Sequence, residues 1–168
     1  MKNIWSLQVG EAIVAEEIKK KLSKDYEVFI PLNNQLKDID LIISNLKTKN
    51  FKTIQVKESR EYDRGKANGW FRISDNHLNN FNFVDFYVFL IYSTRQTKTK
   101  DENQIYFIIV PSKDLLKKSL HKKPTVDKKS NKKTYHYYFH ITDGNVLEVR
   151  DKPEVDYSIY LNNFEILK

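Results

Sequence analysis

Residues 38–44 (DIDLIIS) and 51–57 (FKTIQVK), joined by 45–50 (NLKTKN), decide the fold. The first segment is an aliphatic run entered through two aspartates. The second alternates in its latter half, so Ile54 and Val56 point to one face and Gln55 and Lys57 to the other. The short polar connection between two such runs predicts an antiparallel hairpin.

Working outward, residues 6–23 read as a helix with Leu7, Val14, Ala15, Ile18 and Leu22 on one stripe. Glu11 falls on that same stripe, and a carboxylate turned toward a core needs a partner. Residues 26–30 (YEVFI) form a strand stopped by Pro31. Downstream, 58–72 reads as a charged loop, and Ser74 or Asp75 caps a short helix carrying Leu78 and Phe81. Buried strands are expected at 84–92 (VDFYVFLIY) and 105–110 (IYFIIV), separated by a polar loop at 93–103. Ser112 caps a helix with Leu115, Leu116 and Leu120. A strand at 135–141 turns at Asp143-Gly144 and returns over 146–149. Tyr160, Asn163, Phe164 and Leu167 have the spacing of a short terminal helix. The pattern predicts an α/β fold in which a mixed central β-sheet is flanked by helices. Residues 1–168 read as one domain with a basic loop at about 121–134.

The composition narrows the function. The chain has 168 residues, no Cys and a formal charge of +7. Disulfide frameworks, thiolate zinc sites and Cys nucleophiles are excluded. No Walker A, G-x-G-x-x-G or G-x-S-x-G pattern is present. The N-terminal residues lack the apolar core of a signal peptide, and no apolar run approaches the ~20 residues of a membrane span, so the expectation is a cytoplasmic protein without a membrane partner. The positive charge favours an anionic partner, nucleic acid first.

Three places carry polar groups where packing alone favours apolar ones: Glu11 on its helix stripe, Asp38 and Asp40 at the entry to an apolar strand, and Gln55 with Lys57 on one strand face. Hairpin pairing brings Asp40 toward Gln55 and Lys57, with Glu11 approaching from the covering helix. A hard cation such as Mg²⁺ takes oxygen ligands and keeps several waters. Asp40, the Gln55 side-chain carbonyl, the Val56 main-chain carbonyl and Glu11 are candidate ligands, and Lys57 would stand beside the activated water or the phosphate. The alternative without a metal is a structural Lys57–Asp40 salt bridge, with Glu11 exposed and Asp38 a strand-entry residue.

Gly10-Glu11, then residues 37–43 (KDIDLII), then Ile54-Gln55-Val56-Lys57 resemble the PD-(D/E)XK, or restriction endonuclease-like, nuclease superfamily. The pattern is most similar to archaeal Holliday junction resolvase-like and uncharacterised restriction-like members. Trp70-Phe71, residues 85–89 and residues 105–111 look like later core strands of such nucleases. The resemblance implies a Mg²⁺-dependent endodeoxyribonuclease, with Mn²⁺ as a substitute, that hydrolyses phosphodiester bonds of duplex or branched DNA through a metal-activated water. It maps Glu11 onto the helix-borne glutamate, Asp40 onto the metal-binding aspartate and Lys57 onto the motif lysine. Gln55 stands where most members carry Asp or Glu, and a neutral amide reduces the negative charge facing the ion. The resemblance also implies a homodimer, because cutting two strands uses two sites, although the sequence itself shows no dimer seam.

Arg60, Arg64, Lys66 and Arg72 follow Lys57, and Lys122, Lys123, Lys128 and Lys129 lie in the basic segment. All are candidates for phosphate contacts. Trp70 and Phe71 are candidates for base stacking or for the core. His136 and His140 share a strand face too far apart to chelate one ion. Two other function classes stay open: a catalytically weak or inactive nucleic-acid-binding module of the same fold, and a protein-interaction subunit of a defence or repair complex.

Overall fold

The computed structural model describes residues 9–31, 38–61, 66–79, 83–96 and 101–168. Helix α1 spans Val9–Lys21, with Glu11 in its first turn and Lys19, Lys20 and Lys21 in its last, which suits the helix dipole at both ends. Strands β1 (Tyr26–Phe29), β2 (Leu41–Asn45) and β3 (Phe51–Arg60) form an antiparallel meander. Next come β4 (Asn68–Ser74), the short helix α2 (Asp75–Asn79), β5 (Phe86–Gln96), β6 (Asp101–Pro111) and α3 (Ser112–Lys118). The chain ends with β7 (Thr125–Val126), β8 (Lys133–Thr142), β9 (Asn145–Glu148), β10 (Val155–Asp156) and two 3₁₀ turns, Ser158–Tyr160 and Phe164–Leu167.

The chain is α/β, and its strands divide between two sheets. The first has the order β1-β2-β3-β5-β6 and is mixed, because β3 and β5 run parallel while every other pair is antiparallel. Asp85 sets this parallel register. Its carboxylate accepts from the Thr53 amide at 2.8 Å and the Thr53 hydroxyl at 3.0 Å, and its own amide donates to the Thr53 carbonyl at 3.0 Å. The second sheet, β10-β9-β8-β4 with β7 on β8, is antiparallel throughout.

The first sheet is the middle layer. One of its faces packs Leu41, Ile43, Ile54, Val88 and Ile109 against Val14 and Ile18 of α1 and against Phe164 and Leu167. The other packs Tyr87, Phe89, Ile91, Ile108 and Val110 against Phe71, Ile73, Tyr137 and Phe139 of the second sheet, with Leu78 and Leu115 from α2 and α3. Burying each such side chain contributes about 1.5–3 kcal/mol. The expected flanking by helices therefore holds for one face only. An antiparallel sheet occupies most of the other, because Phe71, Ile73, Tyr137 and Phe139 alternate with outward residues and can cover an apolar face as well as a helix can.

Two expected loops are strand instead. The segment read as a loop at 58–72 contains the end of β3 and most of β4, where Phe71 and Ile73 are buried and Trp70 and Arg72 exposed. Its charges and Gly69 hide that alternation. The expected loop at 93–103 contains the end of β5 and the start of β6. The terminal helix is replaced by the two 3₁₀ turns. Asp143 and Gly144 both take positive φ (50° and 81°), as a two-residue hairpin turn of the twist-matched type requires. Phe81 and the start of the predicted first helix lie outside the described residues. Among the described residues, no helix is long and apolar enough to cross a membrane.

Candidate functional site

Asp40 immediately precedes β2 and lies beside Gln55 of β3. Its amide donates to the Ile54 carbonyl at 2.8 Å, which extends the β2–β3 ladder by one residue. Its carboxylate is turned onto β3, where Oδ2 accepts from Gln55 Nε2 at 2.5 Å and from the Val56 amide at 2.7 Å. Asp40 and Gln55 are 8% and 5% exposed, so this polar contact is made in a largely dry environment. Both of these hydrogen bonds fall on Oδ2. The hairpin thus brings together Asp40, Gln55 and Val56.

Lys57 follows on β3 and is half-buried. Strand alternation turns Thr53, Gln55 and Lys57 toward the second sheet, and Ile54, Val56 and Glu58 toward α1. The first turn of α1 rests on Glu58, close enough that a Cβ added at Gly10 would come within 2.5 Å of Glu58 Oε2. Glu11, the residue after Gly10, is buried at 7% exposure. Helix α1, which carries Glu11, therefore lies on the face of β3 opposite Gln55 and Lys57. Both Glu11 and Lys57 have polar partners of their own.

Three residues near the pair were not singled out by sequence reasoning. Tyr87 sits opposite Gln55 in the parallel register and donates its hydroxyl to the His77 carbonyl at 2.9 Å. Burial, and after it the charge of Asp38, pushes the Tyr87 phenol far above its ordinary pKa. His77 Nε2 lies 3.0 Å from Asp38 Oδ1. Glu58 accepts from the Tyr92 hydroxyl at 3.3 Å. A parallel crossover places His77 and Tyr87 here, and no local sequence signal announces it.

The donor chemistry suits a hard divalent cation: the Asp40 carboxylate, a side-chain amide that carries an oxygen as well as its donating nitrogen, and the Val56 main-chain carbonyl. Among the described residues, no three His, Cys, Asp or Glu side chains are grouped to hold a metal ion. Such an ion would depend on waters and on substrate phosphate for its remaining ligands, as Mg²⁺ commonly does.

The predicted phosphate contacts separate into different environments. Arg60 is exposed at the end of β3, Arg72 is exposed on β4, and Lys66 is exposed. Lys123, Lys128 and Lys129 are exposed in and near the basic turn. Arg64 lies outside the described residues. Lys122 is a correction. Its side chain is 1% exposed and its Nζ is held 2.7 Å from Glu148 and 3.0 Å from Asp151, over the Tyr137 ring at 4.8 Å. The charge run suggested a solvated lysine, but Glu148 and Asp151, distant in sequence, compensate it inside the fold. Comparison with known families, with curated proteins and with solved structures finds no match for the chain.

Proposed function

We propose that the protein is a small metal-dependent DNA endonuclease of the restriction endonuclease-like kind. The observation that supports this reading is the Asp40 carboxylate, held on Oδ2 by the Gln55 side-chain amide and the Val56 backbone amide across the β2–β3 hairpin. A parallel strand beside β3 continues the sheet on the far side, and α1, which carries Glu11, packs on β3.

In this reading, Asp40, the Gln55 side-chain oxygen and the Val56 carbonyl hold Mg²⁺ or Mn²⁺. Glu11 adds negative charge from the α1 side. The chemistry expected of the ion is a lowered pKa for a nearby water and charge neutralisation at the phosphate. Lys57 orients the attacking water or stabilises charge developing on the phosphodiester. The exposed Arg60 and Lys66 steer the DNA backbone toward β3. Dimerisation and a cytoplasmic location belong to the same proposal.

One observation favours a second reading. Gln55 already satisfies Asp40 through its amide nitrogen, so the pair is stable without a cation, as a weak or inactive DNA-binding member would have it. Cleavage of plasmid and branched DNA with Mg²⁺ or Mn²⁺ decides between them. The endonuclease reading expects metal-dependent cutting that is abolished by Asp40→Ala and by Lys57→Ala. Cutting by both variants at the wild-type level would overturn it, and salt-sensitive binding without cutting would select the second reading.

A further inference from the structure

The outer face of the second sheet carries an aromatic surface that the cleavage proposal does not use. Trp70 on β4 is 46% exposed, unusual for the largest apolar side chain. Its Nε1–H donates to His136 Nδ1 on β8 at 3.1 Å. The two rings are within 24° of parallel, with centroids 5.8 Å apart. An indole N–H lies in the ring plane, and so does the imidazole lone pair. A hydrogen bond between nearly parallel rings therefore joins them edge to edge into one broader flat surface. Tyr138 stands against Trp70 at 84°, with centroids 5.7 Å apart, and forms a wall. The Arg150 guanidinium lies 5.6 Å from the Tyr138 ring centroid. Arg72 is directly across from His136 in the β4–β8 register and is exposed.

Charge surrounds this platform. Burial first, then Arg150 and Arg72, lower the His136 pKa, which keeps the imidazole neutral and Nδ1 able to accept. Beyond His136, β8 runs back to Lys133 and the basic turn that carries Lys128 and Lys129. On its other side, β4 is tied to β3, because the Trp70 amide donates to Ser59 Oγ at 3.1 Å, two residues past Lys57.

We propose that this face binds unpaired bases of single-stranded DNA, stacked on Trp70 and His136, with Arg72, Arg150 and the basic turn taking the phosphates. A flat ring pair offers nothing to duplex DNA, whose base faces are already stacked on one another. It fits the exposed face of any unpaired base, and arginines within reach match a backbone that passes alongside. The site goes beyond the cleavage proposal and does not depend on it, since binding needs neither Asp40 nor a metal ion.

The chain has two tryptophans, so Trp5→Phe leaves Trp70 as the only one. Titrating this variant with oligo(dT) in EDTA at low salt is expected to quench its fluorescence. Trp70→Ala in the native background is expected to weaken oligo(dT) binding about tenfold, while Trp70→Phe retains most of it and Arg150→Ala weakens it severalfold. Absence of quenching on saturation would overturn the proposal, as would equal affinity in Trp70→Ala. Equal quenching by a blunt duplex, or binding of oligo(U) with none of oligo(dT), would also overturn it. Because the quenching arm leaves the platform unaltered, a folding defect in Trp70→Ala does not shield the proposal.

Discussion

Gln55 Nε2 donates to Asp40 Oδ2 at 2.5 Å, so an amide and a carboxylate meet where two carboxylates would repel. Replacing Gln55 by Glu puts a second negative charge into this buried contact. The pair then holds a proton more tightly when folded than when unfolded. The penalty is absent below about pH 4, the unfolded glutamate pKa, and grows as pH rises. Thermal melts of Gln55→Glu should match wild type at acid pH and fall behind it at pH 7 by about 1–3 kcal/mol. If the cation reading holds, Mn²⁺ removes the difference at pH 7. A pH-independent difference that Mn²⁺ does not change would count against the contact and the site together.

Lys122 is enclosed by Glu148 and Asp151. Lys122→Ala leaves both carboxylates without their cation and is expected to cost about 3–5 kcal/mol in urea unfolding. Lys122→Met keeps the packed stem and is expected to cost less than Lys122→Ala.

The exposed basic turn should show the opposite behaviour. Lys128→Ala with Lys129→Ala is expected to leave stability within about 0.5 kcal/mol. If these lysines contact DNA, the double variant lowers the magnitude of the log affinity against log salt slope by about 1.4–1.8. An unchanged slope would remove them from the interface.

Gly69 marks where the two sheets press together. A Cβ there would lie 2.7 Å from Ile91 Cγ1 and 2.8 Å from the Phe71 ring. Gly69→Ala is expected to destabilise by about 1–3 kcal/mol in chemical denaturation, through overpacking. Neutrality would mean the sheets are not packed as closely as these contacts require.

Buried phenols predict an alkaline limit. Burial, then the hydrogen bond to Asp114 and its charge, push the Tyr160 pKa up to about 12, and burial drives Tyr87 and Tyr137 higher still. A folded pKa above the unfolded value of about 10 gives stability that is complete below pH 10 and lost above it. Thermal midpoints should therefore fall steeply beyond pH 10, with tyrosinate absorbance appearing together with unfolding.

The hairpin was legible because its information is local. Alternation in residues 54–57 and the polar connection at 45–50 define the strand faces and the pairing, and the structure pairs Leu41 with Ile54 accordingly. The turn at Asp143-Gly144 was legible for the same reason, since two successive positive φ values demand such residues. The division into two sheets was not. Residues 68–74 carry the alternation of a strand, but Gly69, Trp70 and Arg72 give it the composition of a loop, and only β8, about sixty to seventy residues later, supplies its partner.

By itself the sequence determined the α/β class, the β2–β3 hairpin and the adjacency of Asp40 to Gln55, because strand alternation and a short connection are properties of neighbouring residues. Only the tertiary structure decided that Lys122 is buried between two carboxylates, that α1 packs on the face of β3 opposite Gln55 and Lys57, and that Trp70 shares a surface with His136. Each depends on which distant segment packs alongside, and packing is settled by the burial of whole faces rather than by any one stretch of chain.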